Sequence, residues 1–125
     1  MDITPLIRSD RQVIQSYSSG CFKISGVAYE GAVIVFPGHT ERWAFSGSAE
    51  TLTQDDLEIV IKESAGLDIL LFGGGAQMAM VAPELRAELK RLGVSLECMD
   101  SGAACRTYNL LLTEGRRVAA AMLPV

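Results

Sequence analysis

The chain has 125 residues, 49% of them apolar, with 11 basic and 15 acidic side chains and a net charge of -4. That size and apolar content suit a single domain over residues 1–125 with one hydrophobic core, and they exclude a disordered chain. The acidic balance argues against nucleic-acid binding, which needs a basic face; Arg106, Arg116 and Arg117 are the nearest approach to a positive spot.

The amino-terminal stretch MDITPLIRSD has no basic region leading into a long apolar run, so no signal peptide is expected. No window reaches the length of a transmembrane helix. Cys21, Cys98 and Cys105 are odd in number and form no CxxC pair, so neither a disulfide framework nor a structural zinc site is expected. A reducing, cytoplasmic setting fits these features.

Taken in chain order, the first half reads as β-rich. Residues 20–27, GCFKISGV, alternate in part, and residues 28–31 read as a turn into AVIVF at 32–36. Pro37, Gly38, His39 and Thr40 signal a second turn, and ERWAF at 41–45 alternates again. Three short segments with turns between them predict a meander.

The second half changes period. Thr53 suits an N-cap, with Asp55, Asp56 and Glu58 in the first turn and Leu57, Val60, Ile61 and Ser64 on one face, and Gly66 ends that helix. Residues 67–72 form a short apolar run, as expected of a strand covered on both faces. Pro83 suits the first position of PELRAELKRLG, where Leu85, Leu89 and Leu92 make a core stripe and Gly93 ends the helix. A strand at 94–99 follows. The next helix is predicted at 102–114, capped by Ser101, with Ala104, Tyr108 and Leu111 inside; a last strand covers 116–123. Strand–helix alternation implies parallel strands joined by crossovers. The expected fold is a three-layer α/β domain: a central mixed sheet with helices packed on it and an N-terminal β-rich meander.

In open α/β sheets ligands favour the carboxyl ends of the strands. Two loops should open there, Gly73-Gly74-Gly75 and Asp100-Ser101-Gly102. The second runs into a helix start whose backbone N–H groups and dipole suit an anion, with Arg106 one turn in. Gly73, Gly74, Gly75, Ser101, Gly102 and Arg106 are therefore the candidate ligand residues. The pattern is not a dinucleotide fingerprint, because Met78 stands where the third glycine belongs, and no Walker lysine follows.

Catalytic groups are scarce. Any Ser-His-Asp or Cys-His arrangement would depend on His39, the single histidine, which reads as a surface turn residue. Asp55 and Asp56 read as helix-start charges, Asp100 as a cap or a base near the crevice, and Trp43 as packing. No catalytic residue, metal ligand or cofactor is assigned.

GGGAQM, PELRAELKRLGVSLECMDSG, AACRTYN at 103–109 and EGRRV at 114–118 together resemble a widespread family of small α/β domains. Its eukaryotic members include mitochondrial respiratory complex I assembly factor 3 and the adipogenesis-associated protein. The resemblance covers most of the chain and is strongest over residues 70–124, with Ser101 where threonine is usual. It implies a three-layer α/β fold and no established catalytic residues. By similarity to the mitochondrial relative, which works in the matrix beside the inner membrane, it implies a role in protein binding.

Two readings follow. The first is a non-catalytic assembly or interaction module, with a respiratory complex or assembly factor as its protein partner. The alternative is a small-molecule- or anion-binding protein, or an enzyme, that uses the crevice between the Gly73–Gly75 loop and the Ser101 helix start, with a small anionic ligand as the candidate.

Overall fold

The computed structural model describes residues 10–125; most of the amino-terminal stretch read above for a signal peptide lies outside them. Among the described residues there are eight strands, arranged in two sheets, and three α-helices. The first sheet is a meander of β1 (Ile14–Ser18), β2 (Cys21–Ile24) and β3 (Val27–Glu30). The second has the order β5-β4-β8-β6-β7, built from β4 (Val33–Val35), β5 (Thr40–Arg42), β6 (Ile69–Gly73), β7 (Ser95–Met99) and β8 (Val118–Met122). Strands β6, β7 and β8 run parallel, while β4 is antiparallel to both β5 and β8. The mixed sheet and the α/β class are those expected from the sequence.

The meander differs from the expectation in detail. Residues 28–30, read as a turn, lie in β3, and β1 was not expected at all. The turns fall instead at Ser19-Gly20 and Ser25-Gly26, with φ of 49° and 78° in the first pair and 45° and 85° in the second. Left-handed conformation at both central residues gives the two-residue hairpin turn whose twist matches paired strands. Register confirms it, with Ser18 opposite Cys21 and Ile24 opposite Val27. The segment 32–36 does not continue this sheet. Its strand β4 is buried at every position and pairs with β8 inside the larger sheet, since only a strand covered on both sides can bury Val33, Ile34 and Val35 together.

The core has two parts, one on each face of the larger sheet. Leu70, Phe72, Ala119, Ala121 and Ile34 face α2 (Pro83–Arg91) and the 49–67 region, through Leu85, Leu89, Leu52, Leu57 and Val60. On the other side Leu71, Val118, Ala120, Met122, Val33 and Val35 face α3 (Ser101–Thr113) and the small sheet, through Ala104, Cys105, Tyr108, Ile14, Phe22 and Ile24. The run VAAAM of β8 follows from this. A central strand roofed on both faces by close-packed layers has room for little more than alanine at three successive positions, all fully buried.

The helix expected from Thr53 is broken. Only α1 (Glu58–Lys62) is α-helical, flanked by tight 3-10 turns at Asp55–Leu57 and Ser64–Gly66. Thr53 does not cap it; the Asp56 carboxylate reaches back and accepts from the Thr53 N–H at 2.8 Å and its hydroxyl at 3.0 Å. Trp43 is buried against Phe72 and Phe45, and its indole N–H donates to the Asp56 carbonyl at 2.8 Å.

Candidate functional site

The two loops singled out from the sequence are neighbours. In the register of the parallel strands Gly73 lies opposite both Met99 and Met122, so β6, β7 and β8 end level with one another. From this edge β6 leads to α2 on one face and β7 leads to α3 on the other. The point between β6 and β7 is thus the topological switch where open α/β sheets hold ligands.

Here the switch point is closed by the chain itself. The Gly74 N–H donates to the Met99 carbonyl at 2.9 Å, and the Ser101 N–H to the Gly75 carbonyl at 2.8 Å. The Ser101 hydroxyl, fully buried, accepts from the Gly75 N–H at 2.9 Å and donates to the Leu123 carbonyl at 2.6 Å. One small side chain therefore joins the ends of β6 and β8 to the start of α3. Ser101 occupies the first turn of α3 and does not cap it. The cap is Asp100, whose Oδ1 accepts from the Ala103 N–H at 2.7 Å. The helix start already carries a negative charge on its own N–H groups, which weakens its call for an external anion.

The glycines have separate reasons. A Cβ on Gly73 would stand 2.8 Å from Ser101 Oγ, 2.9 Å from Ser101 Cα and 3.1 Å from Met122 Cγ, so Gly73 lets the helix start approach the strand. Gly75 has φ of 96°, a conformation open to glycine. A Cβ on Gly102 would meet the Tyr17 hydroxyl at 2.6 Å. That hydroxyl in turn accepts from Arg106 Nη1 at 2.8 Å. The six candidate residues thus divide. Gly73, Gly75 and Ser101 form a closed joint with Gly74 beside it, and Gly102 and the exposed Arg106 meet Tyr17 of the small sheet.

Open volume lies beside the joint. A cleft of about 500 Å³ is lined by residues 74–76 of the glycine loop, by Phe45, Ser46 and Gly47, by Leu123 and Pro124, and by Gly31 and Ala32. None of its lining residues is charged, and Ser101, Gly102 and Arg106 are not among them. The adjoining segment carries Met78 and Met80, each 58% exposed.

Behind the joint the α3 core is inert. Burial pushes the Cys105 thiol up to about 12, opposed by the charge of Arg106, and it lies 3.5 Å from the Met122 sulfur. Burial likewise raises Tyr108, whose single hydroxyl proton is shared between the Gln12 carbonyl at 3.0 Å and the Phe36 carbonyl at 3.2 Å. Asn109 clasps β1, accepting from the Ile14 N–H at 3.1 Å and donating to the Ile14 carbonyl at 2.8 Å.

The part residues 45–47 play in lining the cleft, and the Tyr17 and Asn109 contacts, were not legible in the sequence, because all depend on segments distant in the chain. The paired Ser-Gly turns carried the signal for β1, and through it for Tyr17.

A three-layer α/β domain with a self-closed switch point is the class these observations define. The chain belongs to the family described as protein of unknown function (DUF498/DUF598), whose model matches residues 14–123. It is 37% identical over 112 residues to an uncharacterized protein of Rhodobacter capsulatus, covering 90% of this chain and 84% of that one. It is 33% identical over 112 residues to NADH dehydrogenase (ubiquinone) 1 alpha subcomplex assembly factor 3 of Danio rerio, covering 90% of this chain and 64% of that protein. The chain therefore spans just under two thirds of that assembly factor.

Two solved structures show the same fold. A Bartonella henselae protein described as an outer membrane protein is 33% identical, with a TM-score of 0.85 over 94% of this chain and 98% of its own. A Bordetella pertussis protein described as an Mth938-like domain is 26% identical, with a TM-score of 0.83 over 99% of this chain and 92% of its own. Among the described residues of the present chain, no helix is long and apolar enough to cross a membrane.

Proposed function

We propose that the protein is a non-catalytic interaction module of the cytoplasm that acts in assembling an NADH dehydrogenase complex. The observation that carries this reading is the closed switch point. The place where this topology would take a small substrate is occupied by hydrogen bonds among residues 73–75, Met99 and Ser101. Kinship with proteins named as assembly factors, over 90% of this chain, supports the choice of partner. The docking surface we assign is the segment that carries the exposed Met78 and Met80, because unbranched thioether side chains adapt to a partner's surface.

The test is affinity capture from the native host with quantitative mass spectrometry, comparing the wild-type chain with the Met78→Glu/Met80→Glu double variant. Enrichment of NADH dehydrogenase subunits that disappears with the variant supports the proposal. No enrichment of such subunits under respiring conditions refutes it.

The alternative is a small-ligand protein, favoured by the open volume beside Gly74 and Gly75. With no charged lining residue, that cleft suits an uncharged small molecule better than an anion. Amide shifts of Gly74, Gly75 and Ala76 on titration with pooled metabolites would support it; their absence would count against it.

A further inference from the structure

His39, Glu41 and Glu63 come from three places in the fold: the β4–β5 turn, the middle of β5, and the carboxyl end of α1. Alternation along an extended chain puts His39 and Glu41 on the same side. The larger sheet then brings that side against the end of α1. Glu41 Oε2 lies 3.5 Å and Glu63 Oε2 3.1 Å from His39 Nε2, and one ligand atom from each of the three residues falls within 4.8 Å of the others.

The ring is held in place. It stacks on the buried Phe36 ring at 4.6 Å and 15°. The turn beneath it is closed by the Phe36 N–H to the His39 carbonyl at 2.8 Å, and the adjacent Thr40 hydroxyl donates to Gln12 Oε1 at 2.6 Å. The Tyr108 hydroxyl of α3 lies within reach of both the Gln12 and the Phe36 carbonyls, at 3.0 and 3.2 Å.

A proton on Nε2 points in one direction and serves one acceptor well. Two carboxylate oxygens converge on that nitrogen, which suits a central cation better than a single N–H. A tetrahedral ion with bonds of about 2.0–2.1 Å separates its ligand atoms by about 3.3–3.4 Å. The two histidine–glutamate distances bracket that value, and the set as a whole, within 4.8 Å, would draw in around an ion. The three side chains are 41–44% exposed, which leaves solvent access for a fourth ligand.

We propose that His39, Glu41 and Glu63 form a surface site for a divalent first-row cation, with imidazole and two carboxylates as ligands and water in the remaining position. Mixed nitrogen and oxygen donors of this kind suit Zn²⁺ and its neighbours in the first row. Bound there, the ion would tie the β4–β5 hairpin to α1.

The experiment is a Zn²⁺ titration of the ¹⁵N-labelled full chain, followed by amide shifts. The expected result is saturable change confined to residues 39–41 and 63–64, with affinity lower by about tenfold or more in Glu63→Gln. Glu63 is only partly buried, so the metal-free spectrum of that variant should report an intact fold; His39→Gln provides the second ligand deletion. An unchanged affinity in both variants, shifts centred on Cys21 or Cys98, or no saturable shift would overturn the proposal. The last outcome would leave the cluster as an ion pair only.

Discussion

Replacing Gly73 by alanine tests the joint directly. The added methyl would meet Ser101 Cα, a backbone atom, at 2.9 Å, and Ser101 Oγ at 2.8 Å, while Ser101 is tied by hydrogen bonds to Gly75 and Leu123 and cannot step aside without breaking them. Overpacking of this kind costs about 1–3 kcal/mol. The loss of glycine's freedom in the unfolded chain returns about 0.4–1 kcal/mol. The net is a destabilisation of about 1–2 kcal/mol, which for a chain of this length lowers the melting temperature by about 3–10 °C. Gly66→Ala is the matched control, since a Cβ there meets nothing within 4 Å and its backbone is not left-handed, so its melting temperature should hold or rise slightly. Thermal unfolding followed by circular dichroism reads both. A Gly73→Ala protein that melts at or above the wild type would refute the view that the helix start needs a glycine to reach the strand.

Other outcomes follow from the same contacts. Asn109→Ala removes both partners of the Ile14 backbone in a buried setting, so urea denaturation should show a loss of about 2–4 kcal/mol; a loss below about 1 kcal/mol would mean that water replaces the amide. Cys105 should resist thiol reagents near neutral pH until the protein unfolds, while the half-buried Cys21 and Cys98 react first. Prompt modification of all three thiols in the folded protein would contradict this. The folded Cys105 thiol titrates at about 12 against 9.0 for the free group, so its stabilising share is whole below about 9 and is lost as pH rises towards 12. Tyr108, also raised by burial, adds loss in the same direction. Denaturation midpoints should therefore fall above about pH 9, and a flat profile to pH 11 would count against both assignments.

Local pattern accounts for much of what the sequence reading recovered. Pro83, the Leu85 and Leu89 stripe and Gly93 predict α2 because capping, periodicity and a left-handed stop act over a few residues. The same holds for the apolar run of β6. The unexpected β1 and β3 were also locally encoded, in Ser19-Gly20 and Ser25-Gly26, whose positive φ values mark two-residue hairpins. The break of the 53–66 helix into 3-10 turns was less legible, since its apolar spacing suits either form.

By itself the sequence determined the α/β class, the alternation of strands and helices, the two loops at the carboxyl edge and the family kinship. Each of these is a property of short windows or of the residues taken in order. Tertiary structure alone decided that β4 joins the larger sheet, that Ser101 locks the two loops together, that Arg106 reaches Tyr17, and that His39 meets Glu63. Those pairs are brought together by burying both faces of one sheet, and nothing in the chain near either partner records which distant segment will arrive beside it.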